Sequence, residues 1–347
     1  MAETGIESKR ILIVQTAFLG DVVLTLPLVQ KIYEKFPNAK IDFLAIPAAQ
    51  NLLSTIPQID QLWIYDKHDQ AKGLATFINY ARKLRKECYQ IAFVPHRSMR
   101  SAALVWLANI STRIGFDRSA GKWLFTEVIP YPNGDHEINR NLHLLKRYGI
   151  DPTEKVFPRL YFSDADRQVV QEFLKKYSLN TGRRFITMAP GSVWATKRWL
   201  PEYFAKLADM LGKIGFQIVL VGAESDEPIA RAVAASTKIT VFSAVGKFSV
   251  RQSALLIQNS RLLITNDSAP MHLSVAGRTP VIAIFGPTIK EFGFYPYGKF
   301  DRVAELKNLP CRPCGKHGGA KCPIGTFECM KNLLPENVFQ HVKYVLD

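Results

Sequence analysis

The residues best suited to chemistry lie in segment 264–288, which reads ITNDSAPMHLSVAGRTPVIAIFGPT. The polar turn formed by Asn266, Asp267 and Ser268 separates a β-branched apolar run from a helix with Pro270 near its start. Free backbone N–H groups at such a helix start favour a phosphate, and Asp267 could bind sugar hydroxyls. The alternative is that Asp267 or Ser268 caps the helix. The local pattern leaves both interpretations open.

A second candidate follows the first apolar run of the chain. Gly20 and Asp21 stand between a buried-strand pattern, Ile11–Val14, and a helical pattern. A small residue permits close backbone approach there, and Asp21 could act as a general base toward a substrate hydroxyl. The alternative is a helix N-cap, because Asp is a favoured capping residue. The loop matches neither G-x-G-x-x-G nor G-x-x-x-x-G-K-[ST], so it predicts neither a dinucleotide fingerprint nor a Walker loop.

A third loop, PGSVWATKRW at 190–199, is rich in hydrogen-bond donors. Ser192 and Thr196 offer hydroxyls, and Lys197 and Arg198 offer two cations beside a helix start, which suits a diphosphate. The alternative is a solvated Lys-Arg pair. Glu224 follows a further apolar run and could accept hydrogen bonds from a ribose, although taken alone it is better explained as a plain surface carboxylate.

The first half of the chain also carries a cluster of basic residues. His96, Arg97 and Arg100 follow an apolar run, and Arg113 comes shortly afterwards. Guanidinium groups bind carboxylates and phosphates bidentately, so the cluster could hold an anionic acceptor. Surface charge at a helix start is the alternative.

The elements that position these loops alternate between strand and helix patterns, which is typical of βαβ units and a parallel sheet. A break at residues 150–183 separates two such series, and we expect two doubly wound α/β domains, 1–165 and 166–347, facing a cleft at the strand ends. The strand patterns are Ile11–Val14, Ile41–Ala45, Leu62–Tyr65, Ile91–Val94, Phe185–Ala189, Gln217–Val221, Ile239–Phe242, Leu262–Thr265 and Val281–Phe285. The helical patterns are 22–36, 71–87, 98–109, 136–148, 164–177, 201–214, 226–236, 249–258 and 335–346.

Composition limits the class of protein. The net charge of +15 favours anionic partners such as a nucleotide, an anionic membrane surface or nucleic acid. No apolar run reaches the length of a membrane span, and Met1–Arg10 has no apolar signal core, so we expect a cytoplasmic protein. We expect no nucleic-acid partner, because the aromatic-basic interleaving of single-strand binders is missing.

Four of the five cysteines lie within one short segment. Cys311, Cys314, Cys322 and Cys329 include one pair with the spacing of zinc ligands. Reduced structural thiols are the interpretation we favour, and zinc is the alternative.

Taken together, these motifs resemble glycosyltransferase family 9, the bacterial lipopolysaccharide heptosyltransferases. The segments that carry the resemblance are ILIVQTAFLGDVVLTLPLV (11–29), APGSVWATKRWLPEYFAKLA (189–208), LVGAESD (220–226) and NDSAPMHLSVAGRTPVIAIFGPT (266–288). The resemblance implies a GT-B architecture with the acceptor on the first domain and a sugar nucleotide on the second. It also implies an inverting transfer that requires no cofactor or catalytic metal.

The resemblance assigns roles to individual residues. Asp21, next to Gly20, matches the proposed catalytic base, and Lys197 matches the lysine at the donor diphosphate. Glu224 matches the acid near the adenosine ribose, and Asp267 matches the acid that holds the donor heptose. The remaining donor positions are Ser192, Thr196, Ser268, Ala269 and His272. Ala269 replaces a glycine that is common in the family, and a buried structural histidine is the alternative for His272.

The expected activity is transfer of heptose from ADP-heptose to the inner core of lipopolysaccharide. The cysteine-rich segment is similar to that of heptosyltransferase II, whose acceptor is heptose-Kdo2-lipid A. The residues expected to bind this acceptor are Gly20, His96, Arg97, Arg100 and Arg113. The enzyme would then work as a peripheral protein on the cytoplasmic side of the inner membrane of a Gram-negative bacterium. The alternatives are heptosyltransferase I, which uses Kdo2-lipid A, another family 9 transferase, or a basic protein that binds nucleotides or nucleic acid.

Overall fold

A computed structural model describes residues 10–66, 73–179 and 184–346 of the chain. The chain divides into two units, Met1–Tyr161 and Phe162–Asp347, whereas the sequence analysis placed the division after residue 165. Each unit contains a six-stranded parallel sheet with helices on its faces, as the alternating pattern predicted.

In the first unit, the strand order is β3-β2-β1-β4-β5-β6, so the direction of winding reverses between β1 and β4. The strands are β1 Arg10–Gln15, β2 Lys40–Ala45, β3 Gln61–Ile64, β4 Ile91–Val94, β5 Thr112–Phe116 and β6 Glu127–Ile129. The helices are α1 Leu19–Lys35, α2 Gln50–Leu53, α3 Leu74–Lys86, α4 Met99–Leu107 and α5 Glu137–His143.

The central strand β1 shows why this sheet forms. Residues 11–14 are apolar without interruption and fully buried, as expected of a parallel strand covered on both faces. Ile11 and Ile13 pack into the core beneath α1, whereas Leu12 and Val14 pack into the core beneath α3 and α4. The alternation therefore places one helical layer on each face of the sheet.

The second unit repeats this topology, with the strand order β12-β11-β10-β7-β8-β9 and a reversal between β7 and β10. The strands are β7 Phe185–Ala189, β8 Gln217–Leu220, β9 Val241–Ser243, β10 Leu263–Asn266, β11 Val281–Phe285 and β12 Arg302–Glu305. The helices are α6 Asp164–Lys176, α7 Pro201–Lys213, α8 Glu227–Ser236, α9 Val250–Asn259, α10 Ala269–Ala276, α11 Glu328–Lys331 and α12 Pro335–Leu346.

Most predicted elements are confirmed, with two kinds of difference. The predicted helix 136–148 is interrupted, because α5 ends at His143 and a separate 3-10 turn, Lys146–Tyr148, follows. Strands β5, β6 and β12 were not predicted, since each includes charged residues that break the apolar pattern. Across the described ranges, no helix has the length and apolar character needed to cross a membrane.

Candidate active site

The loops singled out in the sequence lie where the two sheets reverse their winding. The loop that carries Asp21 follows β1, and the loop that carries His96 and Arg97 follows the adjacent strand β4. In the second unit, the loop with Lys197 follows β7, and the turn with Asp267 follows the adjacent strand β10. A reversal of this kind opens a crevice at the carboxyl ends of the strands, where α/β proteins bind ligands.

Asp21 occupies the third position of α1, and Phe18 is the N-cap residue. One carboxylate oxygen of Asp21 accepts the backbone N–H of Phe18 at 3.2 Å, which satisfies a donor at the helix start. Asp21 is therefore not the N-cap residue of α1, and instead accepts the N–H of the N-cap residue from the third helical position. Gly20 is buried in the same first turn, so Asp21 is fixed in place by the backbone around it.

The environment of Asp21 favours its neutral form. Burial raises the pKa of Asp21 to about 7, and the negative charge of Glu137 acts in the same direction. The hydrogen bond from Phe18 and the charge of Arg97 oppose this shift only in part. A carboxylate with a pKa near neutrality is well matched to removing a proton from a hydroxyl group.

Glu137 is a functional candidate to which the sequence analysis assigned no role, because its helical pattern, 136–148, favoured a solvated or intradomain face. Its carboxylate is buried, accepts the Tyr131 hydroxyl at 2.8 Å and forms an ion pair with Arg140 at 3.1 Å. The Arg97 guanidinium lies 4.3 Å from the centre of the Tyr131 ring. Tyr131 therefore connects Glu137, whose charge raises the pKa of Asp21, to Arg97, one of the predicted acceptor residues. In the sequence, Glu137 is marked only by its place in the helical pattern 136–148.

His96 joins the ends of β1 and β4. Its Nδ1 lies 2.9 Å from the hydroxyl of Thr16 and 3.0 Å from that of Ser101. Because Thr16 follows β1 and His96 follows β4, this contact fixes the two loops at the reversal point. His96 is therefore partly occupied in holding the site together.

The other two predicted acceptor residues, Arg100 and Arg113, lie at opposite edges of the sheet. Arg100, in the first turn of α4, lies at the carboxyl edge of the sheet, with its guanidinium 5.7 Å from the Phe77 ring centre. Arg113 lies at the amino end of β5, which is the opposite edge. Its Nε donates to the carbonyl of Leu124 at 2.7 Å. The structure thus does not bring Arg113 to His96, Arg97 and Arg100.

In the second unit, Lys197 and Asp267 meet. The ammonium of Lys197 lies 2.6 Å from a carboxylate oxygen of Asp267, and the hydroxyl of Thr288 donates to the same oxygen at 2.7 Å. Their side chains are only 12% and 9% exposed. A shielded ion pair of this kind keeps both charges in place at the end of β10.

Asn266 explains how the loops after β7 and β10 are held against each other. Its side chain is fully buried, donates to the carbonyl of Pro190 at 2.7 Å and accepts the backbone N–H of Trp199 at 3.0 Å. These two bonds connect the end of β10 to both sides of the Lys197 loop. Asn266 and Thr288 were not predicted as functional, although Asn266 stood in the polar turn.

The start of α10 is open to an anion. Ser268 is the N-cap residue, but its side chain makes no capping hydrogen bond to the helix. Instead, its hydroxyl contacts the carbonyl of Asn266 at 3.3 Å. Ala269 begins the helix and is not a residue with positive φ, so this backbone does not require a glycine at that position.

His272 lies one turn into α10 and is buried. Burial lowers the pKa of His272 to about 4, and nearby Lys197 adds to this effect, whereas Asp267 opposes it. The imidazole is therefore neutral at physiological pH. Within the described chain, its Nδ1 has no hydrogen-bond partner, which leaves a buried polar atom beside the ion pair.

The remaining candidates for donor binding differ in how exposed their side chains are and in which hydrogen bonds they form. Ser192 is nearly buried, and its carbonyl accepts the Arg198 Nε at 2.7 Å. Glu224 lies exposed in a 3-10 turn after β8, at the carboxyl edge of the sheet. The Thr196 hydroxyl exchanges hydrogen bonds with the backbone of Gly319 at 3.1 and 2.8 Å. Thr196 therefore connects the Lys197 loop to the cysteine-rich segment.

The cysteine-rich segment, residues 311–329, also contacts the loop of Thr288. Arg312 donates to the carbonyl of Thr288 at 2.7 Å and pairs with Glu305 at 2.8 Å, and the Cys314 backbone N–H donates to Pro287 at 3.0 Å. The segment thus touches the loop of Lys197 and the loop of Thr288, whose hydroxyl binds Asp267. Cys311, Cys314, Cys322 and Cys329 are free thiols, and the described part of the chain contains no group of three or more His, Cys, Asp or Glu residues suited to a metal ion.

The two parallel-sheet units match solved structures of the GT-B class. A glycosyltransferase family 9 structure from Veillonella parvula has a TM-score of 0.88 at 23% identity and covers 99% of this chain and 98% of that one. The Escherichia coli ADP-heptose LPS heptosyltransferase II has a TM-score of 0.78 at 23% identity, with 97% and 98% covered. The predicted fold class is therefore confirmed.

Sequence comparison defines the family. The model of glycosyltransferase family 9 (heptosyltransferase) matches residues 77–322, so the chain belongs to this family and is a glycosyltransferase. The Haemophilus influenzae lipooligosaccharide heptosyltransferase 2 is 26% identical over 81% of this chain and 84% of its own length. An Escherichia coli lipopolysaccharide heptosyltransferase 3 is 27% identical over 78% and 82%.

Proposed function

We propose that this protein transfers heptose from ADP-heptose to the inner core of lipopolysaccharide, with heptose-Kdo2-lipid A as acceptor. The observation that carries the proposal is the Lys197–Asp267 pair at the uncapped start of α10, where a sugar diphosphate would bind. Family membership supports the reaction class. The names of relatives support the donor sugar and the lipopolysaccharide core as its destination.

In the proposed donor complex, the diphosphate lies between Lys197 and the N-terminus of α10, where Ala269 supplies the first backbone N–H and Pro270 supplies none. An ammonium group has three donors, so Lys197 can keep its bond to Asp267 and still donate to phosphate oxygens. The helix start adds partial positive charge at the same place. Asp267 would accept hydrogen bonds from heptose hydroxyls, the unpartnered Nδ1 of His272 would accept or donate one according to its tautomer, and Glu224 would contact the ribose.

In the proposed transfer step, Asp21 accepts the proton of the acceptor hydroxyl while the oxygen of that hydroxyl bonds to the anomeric carbon of heptose. The bond from that carbon to the β-phosphate breaks, and ADP leaves with the electron pair. The attack from the face opposite the phosphate inverts the anomeric configuration. Lys197 and the α10 N–H groups stabilise the charge that develops on the leaving diphosphate, so we propose that no metal ion is needed.

We propose that His96, Arg97 and Arg100 bind the carboxylates and phosphates of the acceptor. Arg113 is left out of this group, because its guanidinium donates hydrogen bonds to backbone carbonyls at the opposite edge of the sheet. The choice of a heptose-terminated acceptor depends on the similarity of the cysteine-rich segment to heptosyltransferase II. Relatives of type 2 and type 3 show comparable identity, so the acceptor has to be tested directly.

The test is transfer from ADP-heptose to purified cores that end in Kdo, in one heptose or in two heptoses, read by mass spectrometry. We expect a mass increase of one heptose only with the core that ends in a single heptose. A product from the Kdo-terminated core alone would assign type I instead. A product from the longer core alone would assign type III, and both results would overturn the proposed acceptor.

A further inference from the structure

One helical layer of the first unit has an unusual outer surface. Helices α3 and α4 and the 3-10 turn Lys122–Leu124 pack together over one face of the sheet, with Phe77, Leu104 and Phe125 in the core beneath them. We call this the α3–α4 layer. Its inner side is an ordinary hydrophobic core, so the question is what its outer side contacts.

The outer side of the α3–α4 layer exposes large apolar side chains. Trp106 is 51% exposed, Trp123 is 68% exposed, and Met99 and Leu74 are 40% and 73% exposed. Met99 and Trp106 are seven residues apart in α4 and therefore point to the same side of the helix. Tryptophan is usually well buried, so two exposed indoles in one layer need a partner.

The same surface is strongly basic. The three segments of the α3–α4 layer include no Asp or Glu, and Asp66, after β3, lines a surface cleft with Lys83 and Lys86. The cations of the layer are Arg82, Lys83, Arg85, Lys86, Arg100 and Lys122. In α3 the buried residues are Phe77, Ala81 and Leu84, so the spacing turns Lys83 and Lys86 outward.

Charge on the opposite helical layer is balanced. In α1, the cations Lys31 and Lys35 are accompanied by Asp21 and Glu34. The excess of cations in the α3–α4 layer is thus a local feature of one face of the unit. It does not follow merely from the net charge of the whole chain.

We propose that the α3–α4 layer docks on the surface of a bilayer that contains anionic phospholipids. Tryptophan side chains concentrate at the membrane–water interface, where the ring is in an apolar region and the N–H is hydrated. Cations beside them are attracted to anionic headgroups, which matches the charge of this surface. A soluble anion would account for the cations but would leave the indoles exposed to water.

This inference deepens the proposed function, because the proposed acceptor is itself a membrane lipid. Met99 and Arg100 are in the first turn of α4, at the same edge of the sheet as Asp21. Docking of this layer would hold that edge near the bilayer surface. The core sugars of the proposed lipid acceptor extend from that bilayer surface.

The first test measures sedimentation with vesicles of phosphatidylglycerol and phosphatidylethanolamine and with vesicles of phosphatidylcholine alone. We expect binding only to the anionic vesicles, and Lys83→Gln/Lys86→Gln should weaken it about 25-fold at low salt, or about fivefold per cation. The matched control is Lys175→Gln/Lys176→Gln, which removes two exposed cations from α6 and should leave binding within about twofold. An equal loss in both variants would overturn the proposal, as would no binding to anionic vesicles.

The second test asks whether the indoles enter the bilayer. Brominated lipids quench tryptophan fluorescence on contact, and we expect Trp106→Phe/Trp123→Phe to lose most of the quenching seen in the unmodified protein. The double variant retains Trp199, which is fully buried, and Trp63 and Trp194, which are partly buried, so only weak residual quenching is expected from these three side chains. Unchanged quenching in the double variant would overturn the assignment of these two side chains. A second result would also overturn the proposal. In that result, the unmodified protein binds a single-stranded RNA more tightly than it binds the anionic vesicles, and Lys83→Gln/Lys86→Gln weakens both kinds of binding equally.

Failure of this inference can be distinguished from failure of the proposed function by using an acceptor with its acyl chains removed. With that soluble core, transfer by both sets of variants should equal transfer by the unmodified protein. With the acylated acceptor in anionic vesicles, the variants should be slower. Equal rates on both acceptors would overturn the docking surface while leaving the transferase assignment intact.

Discussion

The ammonium of Lys197 and the carboxylate of Asp267 are 70 residues apart in the chain and 2.6 Å apart in the structure. They meet because β7 and β10 are neighbours at the point where the second sheet reverses, and Asn266 and Thr288 hold the two loops in register. The pair places one cation and one carboxylate beside an uncapped helix start. This relationship leads to several expected outcomes.

Removing the cation should impair the departure of the diphosphate. We expect Lys197→Gln to lower kcat by about 100-fold to 1,000-fold, as the loss of a charge-stabilising donor does in other enzymes. Since this variant leaves Asp267 buried without its partner, Lys197→Gln/Asp267→Asn serves as a second variant with neither charge. Lys299→Gln, at an exposed site, is the control. Near-normal kcat in both site variants, measured by ADP release, would contradict the role of Lys197.

Glu137 should set the pH range of activity. The acidic limb of the kcat profile reports deprotonation of Asp21, so activity should fall as the pH drops through about 7. Because the negative charge of Glu137 raises the pKa of Asp21, Glu137→Gln should move this limb to lower pH. Gln preserves the shape of the side chain and its contact with Tyr131. An acidic limb that stays in place would show that Glu137 does not act on Asp21.

His272 should make the protein less stable in acid. Its pKa is about 4 in the folded protein and near 6.5 in an unfolded chain, so the unfolded state binds the proton first as pH falls. The free energy of unfolding should therefore decrease between pH 6.5 and pH 4, by at most about 3 kcal/mol from this residue. His272→Gln should show a shallower decrease in urea titrations. Parallel curves for both proteins would refute this assignment.

Arg312 should position the donor site without touching the donor. Its bonds to Thr288 and Glu305 support the loop whose hydroxyl binds Asp267. We expect Arg312→Gln to raise the donor KM about tenfold or more, because small displacements at a binding site have large effects. Arg251→Gln breaks a comparably shielded ion pair with Asp166 away from these loops and is the matched control. A similar KM in both variants would mean that Arg312 has only a general structural role.

The sequence was sufficient to predict the central strands and the loops that follow them. β1, β7 and β10 are largely apolar and almost fully buried, and Asp21, Lys197 and Asp267 stand directly after these strands or shortly beyond them. The edge strands β6 and β12 escaped prediction because half-exposed strands tolerate charged residues.

Contacts between distant segments were not predictable from local patterns. Glu137 becomes relevant only because α5 packs against α1, which brings its charge close to Asp21. The two hydrogen bonds of Asn266 likewise depend on the order of strands in the sheet. Arg113 illustrates the opposite case, since its distance from the other basic residues follows from its position at the amino end of β5.

The most direct test of the central claim compares donor binding and transfer in Asp21→Asn. The substitution keeps the size of the side chain and can still accept the Phe18 N–H, but it removes the base. We predict that ADP binding, measured by calorimetry, stays within about twofold, while transfer of heptose falls by about 100-fold to 10,000-fold. Transfer at the unmodified rate by a folded Asp21→Asn protein would contradict the account.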